Sequence, residues 1–435
     1  VELFGVDFGL VGDIDCDVSA LRGALGGESG GAHVAIAARL YARLLRPLEA
    51  ALQGVNHLVF APDGSLSMLP FSALPDEGGH MLLERFGVSY VGSGRELAHL
   101  SPRPAARGGA VIVADPAFGE RPAVADAAHP EQTRYLFDPL PGTAAEAKVL
   151  AGLLPGARVL TGDAATEAAV KGIAGPRILH VATHGFFLDE GGETRGTRGF
   201  KLAKAAATPA SVASGQGPRS ESAMTRSGLG FAGANLHARE GEDGVLSALE
   251  ASGLDLAGTK LLVLSACQTG LGDAAVGHGV YGLRRAFAIA GAETQVLSLW
   301  KVSDDVTATL MGYFYKELVR GAGRAEALRS AQLTVAADPR TAHPYFWAAF
   351  VLSGDVTTLA GAAPAPPAPR LLGRVGPSAR GCACDAAGSP QPGGAPLGFS
   401  GAALLCVAIA RGRRPSICAA PTANPARRRG GGALR

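Results

Sequence analysis

Two short apolar runs constrain this chain more than any other feature, because each ends in an abrupt change to small and polar residues. Lys260–Leu271 reads KLLVLSACQTGL, and Arg177–Phe187 reads RILHVATHGFF. Runs such as Leu261–Leu264 and Ile178–Ala182 match strands buried on both faces, the kind found in parallel sheets with helices on either side. Past their ends stand Ser265, Ala266, Cys267, Gln268, Thr269 and Gly270 in one case, and Thr183, His184 and Gly185 in the other. Open α/β sheets build their sites outside the carboxyl ends of strands. If the two strands are neighbours, Cys267 and His184 face each other, as a thiol nucleophile and its base require. Taken singly, each has a plainer reading: Cys267 as a small core residue, His184 as a turn residue. The shared strand-then-turn grammar favours function. Gly185 lets a ligand approach the backbone, and its N–H can point at a developing oxyanion.

The rest of the chain supplies a sheet around those strands. Leu58–Ala61, Val88–Val91, Ala110–Ala114, Arg158–Leu160, Thr294–Trp300 and His343–Gly354 read as strands. Helical patterns cover His33–Leu52, where Pro47 either kinks the helix or starts a second one, with Val34, Ala38, Tyr41 and Leu44 on its apolar stripe, then Thr143–Leu154, Thr166–Ile173 and Asp243–Leu254. They continue at Gly277–Gly291, Val306–Arg320 and Arg324–Ala336. Thr143 followed by Glu146 has the spacing of a capping box, and Ser303 or Asp304 can cap the helix at Val306. Strands alternating with helices predict an α/β fold with a mostly parallel sheet covered on both faces, preceded by a smaller α/β lead-in. The expected divisions are a lead-in at 1–109, a main part at 110–357 carrying a Gly-rich surface loop at 189–228, and a low-complexity tail at 358–435. That loop holds Arg195, Arg198, Lys201, Lys204, Arg219 and Arg226.

Composition narrows the function. The 435 residues carry a net charge of +2, which gives no whole-chain electrostatic footprint for nucleic acid. No GxxxxGK[ST] loop is present, Cys382-Ala-Cys384 alone is a weak metal signal, and neither a metal nor a cofactor is expected. Before the tail only Cys16 and Cys267 occur, so the folded part reads as built for a reducing compartment, or as indifferent to redox state, and a cytoplasmic location is expected. Val1 opens the chain with no leader pattern, as expected of a piece cut from a longer protein. The apolar run Leu397–Ala410 is short for a transmembrane helix. With GCACDAAGSPQPGG before it and RGRRP after it, the tail resembles Cys-containing C-terminal sorting signals of some myxobacterial surface proteins. That likeness implies a cell-envelope location as the alternative; a disordered tail is the simpler reading. His57, His180 and His343 read as structural, Arg284 and Arg285 as a solvated helix face, and Trp300 and Trp347 as core.

Nine stretches in order carry a wider resemblance: LVFAPDGSLSMLPFSALP, ILHVATHGFF, FAGAN, DGVLSALEASGLDL, LLVLSACQTGLG, GLRRAFAIAGA, SLWKVSDDVTATLMGYFY, EALRSAQL and HPYFWAAFVLSGD. Across residues 1–357 the chain resembles a CHAT domain, the caspase-like clan CD module often attached to TPR repeats. The resemblance implies a caspase-like sheet, a His184–Cys267 dyad, and an oxyanion hole made by the N–H groups of Gly185 and Cys267. It also implies a cysteine endopeptidase acting on a protein or peptide substrate. CHAT modules and the related separases look like proteases that prefer a basic P1 residue. Asp304 in LWKVSDD falls on the separase position that lines S1, whereas the acidic position two before the metacaspase cysteine is here Ser265. The alternative that the family allows is a catalytically silent scaffold, assembling with upstream TPR repeats or a regulatory partner.

Overall fold

A computed structural model of the protein describes residues 6–26, 31–94, 96, 104–120, 136–187, 224–236, 242–265, 278–360 and 402–405. The apolar runs become the strands of a nine-stranded sheet in the order β12-β1-β2-β11-β10-β9-β5-β3-β4. Its members are β1 (His57–Phe60), β2 (Gly87–Tyr90), β3 (Gly108–Pro116), β4 (Arg158–Gly162), β5 (Pro176–Ala182), β9 (Leu261–Leu264), β10 (Thr294–Ser298), β11 (Phe350–Gly354) and β12 (Ala402–Leu405). Neighbours run parallel except at the β10–β11 junction, so the sheet is two parallel blocks joined by one antiparallel pair. The lead-in strands β1 and β2 belong to this sheet, and β12, from the apolar run of the tail, adds to its β1 edge.

The central strands are largely apolar because helices cover both faces. Alternate residues divide accordingly. Ile112, Ile178, Ala182, Val263 and Val296 face one cluster, with Leu150 of α4 (Pro141–Leu153), Leu310, Met311 and Phe314 of α8 (Asp304–Val319), and Leu328 of α9 (Arg324–Ala337). The same cluster takes in α1 (Val11–Leu25), α2 (Ala32–Leu44) and α3 (Leu82–Arg85). Val113, Leu179, Val181, Leu262 and Leu297 face the other cluster, with Val170 of α5 (Glu167–Lys171), Ala248 and Ala251 of α6 (Ala248–Ala251), and Leu283 and Phe287 of α7 (His278–Ala290). The chain leaves β3, crosses by α4 to the edge strand β4, then returns by α5 to β5 on the other side of β3. That reversal of direction opens a crevice at the carboxyl ends of β3 and β5, where open α/β sheets place their sites. A second, antiparallel sheet stands there: β6 (Gly185–Phe187), β7 (Ser227–Gly230) and β8 (Val245–Ser247).

Several local expectations are corrected. Helix α2 stops at Leu44, and of the two readings of Pro47 the start of a second element holds, as a 3-10 helix, Arg46–Leu52, and not an α-helix. The buried stripe of α2 is His33, Ala37, Leu40, Tyr41 and Leu44, and Val34 is exposed. Thr143 is no cap. It lies inside α4, donating to Leu140 O at 2.8 Å and accepting from Asp115 N at 2.9 Å. Asp243–Leu254 is not one helix; β8 precedes the single turn α6, whose capping box is Ser247 with Glu250. His343–Gly354 begins as a helical turn, α10 (Pro344–Trp347), because His343 caps Tyr345 N and Pro344 fits a first helical position. Arg284 is buried while Arg285 is exposed, so the pair is not a solvated face. Cys16 is disulfide-bonded, which goes against a folded part built for reducing conditions. Among the described residues no helix is long and apolar enough to cross a membrane.

Candidate active site

The two strands whose exits carry the sequence signal are neighbours. β5 pairs in parallel with β9, with Val181 opposite Leu264, and Ser265 N donates to Val181 O at 2.9 Å. Ser265 stands two positions before Cys267. Cys267 itself, and most of the 189–228 loop, lie outside the described residues. Of that loop's basic residues Arg226 is described, and it is buried rather than offered to solvent.

His184 follows β5 and is 6% exposed. Its ring packs against two phenyl rings that also touch each other: Phe118, with centroids 5.3 Å apart, and Phe137, stacked at 5.6 Å. Its Nε2 is 2.7 Å from the carbonyl oxygen of Asp138. A carbonyl only accepts, so Nε2 carries the proton and Nδ1 is left as the basic nitrogen. Burial lowers the pKa of His184, and the positive charge of Lys301 acts the same way; the Asp138 carbonyl and the charges of Asp138 and Asp304 oppose them. The net direction favours the neutral imidazole that a general base needs.

The wall holding this histidine contains residues that the spacing analysis did not single out. Asn235, buried in the FAGAN stretch, clamps the segment before Asp138. Its Oδ1 accepts from Phe137 N at 2.8 Å, and its Nδ2 donates to Phe137 O at 2.9 Å and to Gly119 O at 3.0 Å. Gly230 is the floor under Phe137: a Cβ there would lie 2.9 Å from the phenyl ring, so only glycine permits the stacking. An asparagine among Gly and Ala residues was the available signal. Asp138 gave none, because it acts through its backbone.

Gly185 opens β6. His184 and Gly230 form a hydrogen-bonded pair, with Gly230 N donating to His184 O at 2.9 Å. The next pair, Gly185 and Leu229, is therefore of the non-bonded type, which turns the Gly185 N–H away from β7. Since β6 ends its sheet, that N–H faces an open edge among the described residues. Asp304 is the first residue of α8 and is half-buried. Ser303, not Asp304, holds the N-cap position, and it makes no side-chain capping bond. Asp304 packs against Gly142 in the first turn of α4, where a Cβ would lie 2.6 Å from its Cγ. Its charge acts on His184 in the direction that raises the histidine's pKa, against the effect of burial.

Comparison with known proteins agrees with the sequence resemblance. The model of the CHAT domain family matches residues 34–355. Human tetratricopeptide repeat protein 28 is 27% identical over 343 residues, covering 73% of this chain and 13% of the relative; the mouse protein is 26% identical over the same extent. The chain thus spans about an eighth of the length of the curated relatives it matches. Among solved structures, the Saccharomyces cerevisiae separase–securin complex aligns at TM-score 0.34 and 11% identity, covering 68% of this chain and 16% of that one. The Arg-specific cysteine proteinase gingipain R aligns at TM-score 0.38 and 11% identity, covering 80% and 74%.

Proposed function

The chain belongs to the CHAT domain family, and from that premise we propose that it is a cysteine endopeptidase cleaving after a basic residue through His184 and Cys267. One observation carries the reading: β5 and β9 are adjacent, and the histidine beyond β5 is buried, neutral in tendency and oriented through Nε2. In this reading Nδ1 of His184 takes the proton of the Cys267 thiol as sulfur attacks the scissile carbonyl. The N–H groups of Gly185 and Cys267 receive the oxyanion. The imidazolium then protonates the leaving amine, and water hydrolyses the thioester. The Asp138 carbonyl fills the place of a third triad member, holding the ring without a charged side chain. Asp304 supplies negative charge for a basic P1 side chain.

Cleavage of a fluorogenic Arg peptide, with thermal unfolding run in parallel, tests the dyad. Cys267→Ala and His184→Ala each abolish turnover while leaving the unfolding temperature near that of the parent. Full turnover by either folded variant rules the dyad out. A basic P1 preference further suggests that the loop at 189–228 restrains the resting site or is cut on activation, with Arg195, Arg198, Lys201, Lys204 and Arg219 as the cleavable positions and Arg226, which is buried, excepted. The second reading, a silent scaffold joined to TPR repeats, draws support from the name and much greater length of the matched relatives. It prevails if a thiol-reactive peptide probe fails to label Cys267 under every activating condition.

A further inference from the structure

Behind the two strand exits lies a buried polar chain that the proposed chemistry does not use. Glu146 of α4 is 2% exposed, His180 of β5 0%, Tyr315 of α8 0% and Ser265, past the end of β9, 5%. Ser265 Oγ donates to Glu146 Oε2 at 3.0 Å. Glu146 Oε1 lies 3.1 Å from His180 Nε2, and His180 Nδ1 lies 3.1 Å from the Tyr315 hydroxyl. Burial first, and then the charge of Glu146, push the Tyr315 phenol well above its ordinary value, so it stays protonated and donates to Nδ1. The Nε2–H of the neutral His180 ring then faces Glu146 Oε1 at 3.1 Å, off the straight line of an ideal hydrogen bond.

Four polar side chains from four elements have thus been brought into a core that could be filled by apolar groups at equal or greater stability. Their geometry indicates what they do. The Ser265 backbone is tied to β5 through Val181 O, and its side chain is tied to α4 through Glu146. These two clamps set the direction in which the chain leaves the sheet, two residues before the cysteine. We propose that Glu146 is a positioning residue: its hydrogen bond to Ser265 fixes the exit of β9 and hence the place of the Cys267 thiol, with His180 and Tyr315 holding the carboxylate in turn. The activity arm of the test rests on the peptidase reading; the reactivity arm does not.

The full chain and its variants Ser265→Ala, Glu146→Gln, Glu146→Ala and the Ser265/Glu146 double alanine are compared in two assays. One is steady-state cleavage of an Arg peptide. The other is the rate of Cys267 alkylation by iodoacetamide, followed by mass spectrometry of the peptide that contains it. Ser265→Ala and Glu146→Ala each lower kcat about tenfold with KM nearly unchanged, and both slow alkylation. Glu146→Gln keeps an acceptor oxygen for Ser265 Oγ and recovers most of the rate. The double variant is no slower than Glu146→Ala, because both lesions break one bond. A folded Ser265→Ala with parental kcat and parental alkylation overturns the proposal, as do independent, multiplying losses. If Glu146→Ala does not fold, Ser265→Ala and Glu146→Gln carry the comparison. If the parent cleaves nothing, the peptidase reading falls by itself and alkylation alone decides: slowed in folded Ser265→Ala supports positioning, unchanged refutes it.

Discussion

At the scale of single residues, His184 and Asp304 show how surroundings convert ordinary side chains into candidates for chemistry. Burial against two phenyl rings lowers the pKa of His184, so its neutral form persists to lower pH than in an exposed histidine. If it is the base, the acidic limb of the kcat/KM–pH profile lies below pH 6.5, the ordinary histidine value. A limb at or above that value points to another group. Asp304 depends on a neighbour without a side chain. Asp304→Ala removes the carboxylate, and Gly142→Ala displaces it. Both lower the ratio of Arg to neutral P1 cleavage, by about tenfold for Asp304→Ala, while the loss of one first-turn charge costs only about 0.5 kcal/mol of stability. An unchanged P1 profile in a peptide library would leave Asp304 as a helix-terminus charge alone.

At the scale of elements, α4 does more than cover the sheet. Its first turn meets the end of β3 through Thr143 and Asp304 through Gly142, and one turn further Glu146 reaches the end of β9. Asp115, which donates to Thr143, has φ 46°, a left-handed conformation at a β3–β4 register shift that turns the chain into the crevice wall. The far side of the sheet is sensitive to pH instead. His57 opens β1, pairs with Ser89 Oγ across β1–β2 at 2.8 Å, and has its pKa lowered by burial to about 4. The folded state refuses a proton that the unfolded chain accepts below pH 6.5. The stability present above pH 6.5 is therefore lost as pH falls toward about 4. The loss is of order 2 kcal/mol, less than the full pKa difference implies because the half-buried ring is partly screened. Urea unfolding at pH 7.5 and pH 4.5 should show a steeper drop in the parent than in His57→Gln; equal drops would clear His57 of this role.

At the scale of the whole molecule, the sheet is closed by an ionic lock rather than by apolar packing alone. Arg324, fully buried at the start of α9, donates to Thr294 Oγ1 at 2.6 Å and Thr358 O at 3.1 Å. Glu293 and Asp355 stand at 3.6 and 3.7 Å, and Lys260 pairs with Glu293 at 2.5 Å. The group ties β10, α9 and the segment after β11 together where the two parallel blocks meet. Arg324→Ala removes the donor to Thr294 Oγ1 and Thr358 O and leaves Lys260 as the ionic partner of Glu293, at a cost of about 1–3 kcal/mol. Calorimetry should show a large fall in unfolding temperature, whereas a change within about 1 °C would mean that water takes over the lock.

The apolar runs, their punctuation and the placing of His184 and Cys267 past strand ends were legible in the sequence, because burial on both faces leaves a local signature in residue type. The family landmarks are legible for the same reason, being short stretches in order. What tertiary structure decided is which groups meet. Glu146 stood three residues from Thr143, and that spacing suits a cap; the fold instead turned it inward to Ser265 and His180. The Asp138 carbonyl that orients His184 has no residue-type signature, since every residue owns one. Asn235 clamps a segment almost a hundred positions away. Local propensity sets an element within a few residues, but these contacts exist only after long loops close, and closure is paid for by the packing of the whole sheet.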